Sequence, residues 1–377
     1  MNDMPTQCLS SFPANPTNAV EAVDTVLRYA ASLGASDAHF DPRPQDLWIR
    51  LRIDGELEPV GTLPRRLHEE IIARLKILSG VRTDLHAVPQ DGRFRITLNN
   101  VDYNARVSFM PTYRGENAVI RLLSVEPAAQ DTFAALGFTP EHVLMISRAL
   151  AAKNGLILVT GPTGSGKTTT LRVCLGLKAA EPLSIMTLED PVEYEVPGVR
   201  HVHIRHAQGV TFGAGLRAAL RQDPDVIMVG EIRDGETAHT AVHTALTGHL
   251  VLSTLHTTSA LESILRLIDM GVEPYLIAAT LHLVISQRLV RVTCADCAGQ
   301  NEFCVSCRGS GFRGRYVMAE VLSIDDGLRQ LISSRASLQT MREYVLSSGF
   351  RTISEDAGEK VDWGVTSRAE VLKVLAA

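Results

Sequence analysis

The stretch Leu156–Thr168, LILVTGPTGSGKT, decides the fold of this 377-residue chain. A short apolar run, typical of a buried strand, leads directly into a G-x-x-x-x-G-K-[ST] pattern, and a helical pattern follows. Its glycines let the backbone curl so that N–H groups point inward, and a helix N-terminus adds positive potential there. Lys167 is then placed to reach the β- and γ-phosphates of a nucleotide, and the Thr168 hydroxyl to ligate Mg²⁺. The stretch therefore predicts a phosphate-binding loop; the alternative is a coincidental glycine-rich turn. The residues predicted to hold the nucleotide are Gly161, Pro162, Thr163, Gly164, Ser165, Gly166, Lys167, Thr168 and Thr169.

The composition limits the classes of protein to which the chain can belong. Hydrophobic residues make up 45% of the sequence, the formal net charge is −5, and the pI is near 6.2. The sequence contains no apolar run of the roughly 18 residues that a bilayer-spanning helix needs, and no secretory signal is recognisable at its start. These features predict a cytosolic protein with peripheral membrane association at most, and they give no electrostatic argument for a nucleic-acid binder.

The first third of the chain predicts a flexible tail, residues 1–18, and a small α+β domain, residues 19–125. Helical spacing of apolar residues alternates there with strand-like alternation and hairpin signals such as Asp54-Gly55. The predicted helices are 19–33 and 64–80. The predicted strands include 47–53 and 56–60 and, after Asp91-Gly92, 94–98, 101–109 and 118–123.

A linker, residues 126–136, is predicted to precede a second domain, residues 137–377. Continuous apolar strands alternate with helical stretches in this domain, which indicates a mostly parallel sheet covered on both faces. The strands are predicted at 156–160, 184–189, 226–229 and 250–255. Ligands bind such sheets at the carboxyl ends of the strands.

Carboxylates follow two of these strands. Glu189, Asp190 and Glu193 lie within five positions of one strand end, and Glu231 ends another. An acidic surface loop is the alternative for the first group, but at this edge of the sheet they can hold Mg²⁺ or orient water. The strand that ends at Glu231 resembles the Walker B strand of ATPases, but Gly230 stands where many of those ATPases have the metal-holding Asp. Glu231 is therefore predicted to polarise the attacking water.

Two histidines flank the strand 250–255. His249 precedes it and His256 follows it, so only His256 is predicted to reach the carboxyl edge and sense a γ-phosphate. A hydrogen-bonded structural histidine is the alternative for each.

Six cysteines occur, and four of them form a C-x₂-C-x₆-C-x₂-C array. Four thiolates from two knuckles suit tetrahedral zinc in a closed, structural site, with four free thiols as the alternative. Cys8 and Cys174 are interpreted as an exposed tail thiol and a packed helix residue. The predicted zinc ligands are Cys294, Cys297, Cys304 and Cys307.

Together with these motifs, the segments QDGRF, TLEDPVEY, VIMVGEIRD, TGHLVLSTLHT and SQRLVRVTCADC resemble the secretion and pilus motor ATPases, specifically the type II secretion and type IV pilus assembly branch of the RecA-like hexamers. The resemblance covers nearly all of the chain after the tail. It implies a RecA-like α/β ATPase domain with a zinc-binding arm, residues 291–316, and C-terminal helices, preceded by a small PAS-like α+β domain.

The resemblance also implies roles for individual residues. Glu189, Asp190 and Glu193 correspond to an aspartate box and Glu231 to the Walker B glutamate. His249 and His256 correspond to a histidine box, of which His256 is the predicted catalytic member.

Four arginines complete the implied site. Arg106 and Arg121 match arginines of the small domain that swing toward bound nucleotide, and Arg217 with Arg221 matches a pair near the phosphates. A guanidinium suits this task because it stays charged and presents a planar fork to phosphate oxygens. Solvated surface charge is the alternative for each.

The implied function is a homohexameric motor that uses ATP, Mg²⁺ and structural Zn²⁺ and acts on an inner-membrane platform protein to assemble a type IV pilus or a type II secretion pseudopilus. It would work at the cytoplasmic face of the bacterial inner membrane, without specific nucleic acid, and ATP would close its two domains about a hinge near 126–136. Only about 18 residues precede the predicted small domain in this sequence, whereas secretion motors usually carry an additional N-terminal domain, and the zinc loop is short. The alternatives are a pilus retraction or conjugation ATPase, a RecA-like nucleic-acid translocase and a simple phosphotransferase; the four cysteines argue against the retraction branch.

Overall fold

A computed structural model describes residues 16–125 and 132–376 of the chain. Most of the predicted tail, with Cys8, and the first part of the predicted linker, residues 126–131, lie outside the described residues. The chain divides into two compact units, residues 1–129 and 130–377, and each is described by itself.

The first unit is a six-stranded antiparallel sheet with two helices. The strand order is β3-β2-β1-β6-β5-β4. The elements are α1 (Ala19–Ser32), β1 (Asp37–Pro42), β2 (Asp46–Ile53), β3 (Glu56–Pro64), α2 (His68–Ser79), β4 (Gln90–Leu98), β5 (Val101–Thr112) and β6 (Gly115–Ser124).

Alternation of side chains explains why this sheet buries one face only. Apolar residues at every second strand position, such as Phe40, Ile49 and Phe109, form one core with both helices. The hairpin predicted at Asp54-Gly55 is confirmed: both residues have positive φ, +49° and +91°, as a two-residue primed turn requires.

Several predicted boundaries of this unit differ from those observed, most clearly at β4. The strand was predicted at 94–98, after Asp91-Gly92, but β4 begins at Gln90 and runs through both residues. A Cβ atom at Gly92 would lie 2.7 Å from Ser79 Cβ, at the end of α2. The glycine therefore permits a close approach of the strand to the helix.

The second unit contains a seven-stranded sheet of order β13-β12-β7-β11-β10-β8-β9. All neighbouring strands pair in parallel except β12 with the edge strand β13. The elements are α3 (Pro140–Leu150), β7 (Gly155–Thr160), α4 (Lys167–Ala179), β8 (Ile185–Glu189), β9 (Val199–His203), α5 (Phe212–Ala219), β10 (Val226–Val229), α6 (Gly235–Leu246), β11 (Leu250–Leu255), α7 (Ala260–Asp269), α8 (Pro274–Thr280), β12 (Leu281–Thr293), β13 (Phe312–Ser323), α9 (Asp326–Ser333), α10 (Leu338–Ser347), α11 (Ile353–Asp362) and α12 (Arg368–Leu375).

The predicted α/β fold with a mostly parallel sheet is confirmed. Every residue of β7, β8, β10 and β11 is buried, with separate apolar clusters on the two faces. Because these strands are parallel, their carboxyl ends meet at one edge of the sheet, and that edge carries the phosphate loop after β7.

The long β12–β13 hairpin was not predicted. Its two strands flank the cysteine segment, and the register shifts between Arg291 and Thr293, where the segment leaves the sheet. Within the described parts of the chain, no helix is long and apolar enough to span a bilayer.

Candidate nucleotide-binding site

The phosphate loop connects β7 to α4 and depends on glycine at specific positions. Gly161, Gly164 and Gly166 all have φ between +80° and +144°. A Cβ atom at Gly161 would lie 2.4 Å from the Gln287 carbonyl oxygen, so no other residue fits there. The curled backbone ends at Lys167, the first residue of α4, and Thr168 is exposed in the first turn of that helix. The loop has the predicted strand–turn–helix context.

Lys167 is bonded inside the loop. Its Nζ donates to the carbonyl oxygens of Gly161 and Pro162, both at 2.9 Å. Burial lowers the pKa of Lys167, and the nearby Glu231 carboxylate opposes that shift. The ammonium group therefore lies over the loop with contacts that phosphate oxygens can replace.

Gln287 on β12 holds the phosphate loop through two side-chain hydrogen bonds. This fully buried side chain donates from Nε2 to the Ser165 carbonyl oxygen at 2.8 Å and accepts the Thr170 hydroxyl at 2.9 Å. Both of its amide functions are thus used, and they fix the end of the loop and the first turn of α4 together.

Glu231 lies immediately beyond β10, and its carboxylate meets two basic side chains. Oε2 is 2.5 Å from Arg233 Nε and 3.7 Å from His256 Nε2. The bond with Glu231 raises the pKa of Arg233. A Cβ atom at Gly230 would lie 3.1 Å from the Leu188 carbonyl oxygen, which is a tight contact.

Hydroxyl groups join the carboxyl ends of β7 and β11. Thr160 Oγ1 and Thr257 Oγ1 are 2.7 Å apart, and the Thr257 N–H donates to Thr160 Oγ1 at 2.9 Å. These bonds hold His256, between Leu255 and Thr257, at the edge that carries the phosphate loop. Burial, together with the positive charge of Lys167, lowers the pKa of His256, so it is neutral at pH 7.

His249 lies at the opposite, amino edge of β11. Its Nδ1 is 3.2 Å from the Thr244 carbonyl oxygen. The structure therefore separates the two histidines as predicted and gives His249 a structural contact.

The three carboxylates after β8 have different surroundings. Glu189 is buried, and its Oε1 accepts from the Thr187 hydroxyl at 2.6 Å and from His201 Nδ1 at 2.8 Å. The Val196 N–H donates to His201 Nε2, so Nδ1 carries the ring proton. Asp190 Oδ2 is 3.4 Å from His206 Nε2. The catalytic roles of Glu189 and Glu193 stay predictions.

Arg217 and Arg221 are exposed, the first on α5 and the second in the turn that follows it. Arg217 Nη1 pairs with Glu236 Oε1 at 2.5 Å, and Arg221 Nη1 donates to the Arg217 carbonyl oxygen at 3.0 Å. Their proximity to phosphate stays a prediction.

Arg106 and Arg121 are directly opposite each other on β5 and β6 of the first unit. Arg93 is opposite Arg106 on the next strand, so three arginines share one row of the sheet face. Arg121 Nε donates to Asp37 Oδ1 at 2.9 Å, across the β1–β6 pair. The roles of Arg106 and Arg121 at the nucleotide stay predictions.

Sequence reasoning missed four side chains of the site: Thr257, Arg233, Gln287 and Arg288. Arg288 Nη2 donates to the Thr258 carbonyl oxygen at 3.2 Å, and its positive charge helps to lower the pKa of Lys167. All four lie in segments that were recognised as motifs: Arg233 in VIMVGEIRD, Thr257 in TGHLVLSTLHT, and Gln287 with Arg288 in SQRLVRVTCADC. Chemistry was assigned only to other residues of those segments.

The four predicted zinc ligands converge in the arm after β12. All four Sγ atoms lie within 4.8 Å of one another, with Cys294–Cys304 at 3.9 Å and Cys297–Cys307 at 3.6 Å. Zn–S bonds of 2.3 Å in a tetrahedron require sulfur–sulfur separations of about 3.8 Å, so this donor set fits one such ion. Cys174, by contrast, is fully buried in α4, and burial raises its pKa to about 12, as expected of an inert packed thiol.

Comparison with known proteins agrees with this geometry. The family described as Type II/IV secretion system protein matches residues 15–373. The type IV pilus assembly ATPase PilB of Thermus thermophilus is 41% identical over 391 residues, covering 96% of this chain and 44% of that protein. Type II secretion system protein E of Klebsiella pneumoniae is 41% identical over 376 residues, covering 94% of this chain and 75% of that protein.

The solved structure of the Legionella pneumophila ATPase DotB has a similar fold, with a TM-score of 0.76 at 24% identity. The match covers 97% of this chain and 98% of the DotB chain. The family resemblance inferred from the motifs is confirmed.

Proposed function

The chain belongs to the type II/IV secretion system protein family and is an ATPase of that family, and we propose that it is a hexameric motor that assembles a type IV pilus or a type II secretion pseudopilus. The pilus and secretion relatives are equally identical to the chain, at 41%, so the proposal covers both filaments. The motor would act at the cytoplasmic face of the bacterial inner membrane on a platform protein. The chain spans less than half of the length of the Thermus relative, so the activity and the partners are proposals for this chain.

The observation that carries the proposal is the convergence of the phosphate loop and Glu231 at one sheet edge. On nucleotide binding, the Lys167 ammonium exchanges the two loop carbonyls for phosphate oxygens. Glu231, at the end of β10, orients the attacking water and accepts its proton. His256, neutral and 3.7 Å from Glu231, is placed to contact the terminal phosphate.

Two metal ions belong to the proposal. Mg²⁺, held by the Thr168 hydroxyl, would neutralise the phosphate charge. Zn²⁺, held by the four cysteines, would stabilise the arm without chemistry, because four protein ligands leave no open position. The cysteine cluster also favours an assembly motor over a retraction motor.

Coupling to movement is assigned to Arg106 and Arg121. They would contact the bound nucleotide from the small domain, so that ATP favours a closed arrangement through its differential binding.

Size-exclusion chromatography with light scattering, with and without a nonhydrolysable ATP analogue, tests the motor assembly. The proposal expects six copies per particle with the analogue. A monomer under both conditions, with undiminished ATP hydrolysis, would contradict the hexameric motor. A gel shift that persists through salt titration would instead favour the nucleic-acid translocase.

A further inference from the structure

The turn after β10 carries a carboxylate, Glu231, and a guanidinium, Arg233, that contact each other. Glu231 and Arg233 flank Ile232, whose side chain is buried and whose N–H donates to the Thr254 carbonyl oxygen at 3.0 Å. Because the middle residue is anchored inward, both of its neighbours project toward the mouth of the site. The carboxylate is sheltered and the guanidinium is not: the side chains are 14% and 68% exposed.

The ion pair between Arg233 and Glu231 engages the carboxylate on which the proposed hydrolysis depends. Glu231 Oε2 lies 2.5 Å from Arg233 Nε, so the carboxylate accepts from the guanidinium on its solvent side. The Lys167 ammonium is likewise held by loop carbonyls. Lys167 and Glu231 are therefore both paired internally. The phosphate oxygens of a triphosphate can replace the loop carbonyls as partners of Lys167, and they can replace Glu231 as the partner of Arg233.

Arg233, the partner of Glu231, is well suited to exchange the carboxylate for a phosphate group. An ion pair with an exposed member contributes little stability, whereas a guanidinium binds phosphate oxygens through two parallel bonds. Asp190 also attracts Arg233, which keeps the arginine at this edge of the sheet when it leaves Glu231. A diphosphate in the same loop lacks the terminal group needed to compete.

We propose that Arg233 exchanges Glu231 for the terminal phosphate of ATP, so that the carboxylate becomes available to water only when a triphosphate is bound. This inference rests on the proposed nucleotide site. Arg233 is then a positioning residue for Glu231 and the residue that distinguishes ATP from ADP.

Binding of a nonhydrolysable ATP analogue and of ADP to the full chain tests the exchange. Arg233→Gln should weaken binding of the analogue about tenfold, the loss of one charged phosphate contact, and should leave ADP binding within about twofold. Arg233→Lys should recover part of the loss, because it keeps the charge without the fork. Arg335→Gln is the matched control: Arg335 is also 68% exposed and pairs with a carboxylate, Glu273, at 3.3 Å, within the same unit. It should change neither affinity.

A double-mutant cycle gives a readout that a structural role would not produce. Glu231→Gln weakens the competing partner, so it should tighten binding of the ATP analogue a few-fold. That gain should disappear when Arg233→Gln is also present.

Three results would overturn the inference. The first is an equal loss of ATP analogue and ADP in Arg233→Gln. The second is a lower melting temperature with an unchanged affinity ratio, which would make the pair a structural tether. The third is a gain in Glu231→Gln that survives removal of Arg233. If the wild-type chain bound neither nucleotide, the proposed function would fail as well; normal wild-type binding with an unchanged ratio would remove this inference alone.

Discussion

The phosphate loop and the cysteine arm are two candidate ligand sites on the same unit, and they are held together in opposite ways. The loop is braced by the fold: Gln287 bonds the end of the loop and the first turn of α4, and Lys167 is bonded to loop carbonyls. The cysteines form a small cluster of their own, separate from the large cores of the unit. Phe303 and Val305 beside them are 76% and 92% exposed.

The difference indicates which site depends on its ligand. A loop whose groups are already bonded can keep its shape without nucleotide and is ready to exchange those bonds. An arm whose interior is four sulfur atoms needs an ion to become rigid, because metal-binding energy then serves as folding energy. The comparison predicts that changes in the loop affect activity and that changes in the arm affect stability.

Lys167→Ala should have the largest effect. Removing the ammonium leaves phosphate charge uncompensated, so ATP hydrolysis should fall by about 10³-fold or more and nucleotide binding should weaken. Steady-state turnover and nucleotide titration measure this. Lys153→Ala, an exposed lysine of the same unit, is the control and should behave as wild type. Substantial turnover in Lys167→Ala would show that the loop is not the site of hydrolysis.

Metal removal from the arm should have the next largest effect, on stability. Metal analysis should find about one zinc per chain by the four-thiolate rule, and Cys304→Ser should lose it. The melting temperature should fall by several degrees while ATP affinity stays within about twofold. If the metal-free protein had an unchanged melting temperature, the claim that the cysteine arm depends on its ion would be contradicted.

Gln287→Ala tests whether the loop depends on its brace. The substitution leaves the buried Ser165 carbonyl and Thr170 hydroxyl without this partner, at a cost of about 1–3 kcal/mol. We expect roughly a tenfold loss of ATP affinity with the zinc content intact. Thermal unfolding and nucleotide titration of the same sample separate the two effects. Unchanged affinity would mean that the loop holds its shape without the glutamine.

The smallest expected effect is the difference in turnover between substitutions of His256 and His249. His256→Ala should slow turnover by roughly tenfold, because the side chain lies beside Glu231, and His249→Ala should leave turnover unchanged. Equal effects on turnover would remove the distinction between the two edges of β11.

Much of this architecture could be predicted because it depends on local patterns. Continuous apolar strands and a glycine-rich loop determine the parallel sheet and the phosphate site by their own spacing. The missed parts depend on long-range pairing. Gln287 reaches a loop more than 100 residues earlier in the chain, and β12 with β13 pairs across the cysteine segment.

The partners of charged groups were also beyond prediction from sequence. Nothing local shows that Glu189 is bonded to His201, or that Arg233 pairs with Glu231. Such contacts are set by which strand ends meet, and a one-residue change in register would alter them.

The central claim is that Glu231 activates the attacking water beside a phosphate loop that does not need this carboxylate to bind ATP. The most direct measurement compares nucleotide affinity and single-turnover hydrolysis in wild type and Glu231→Gln. The account predicts that the variant binds ATP at least as tightly as wild type but hydrolyses it about 10²-fold or more slowly. Near-normal hydrolysis by Glu231→Gln would contradict it.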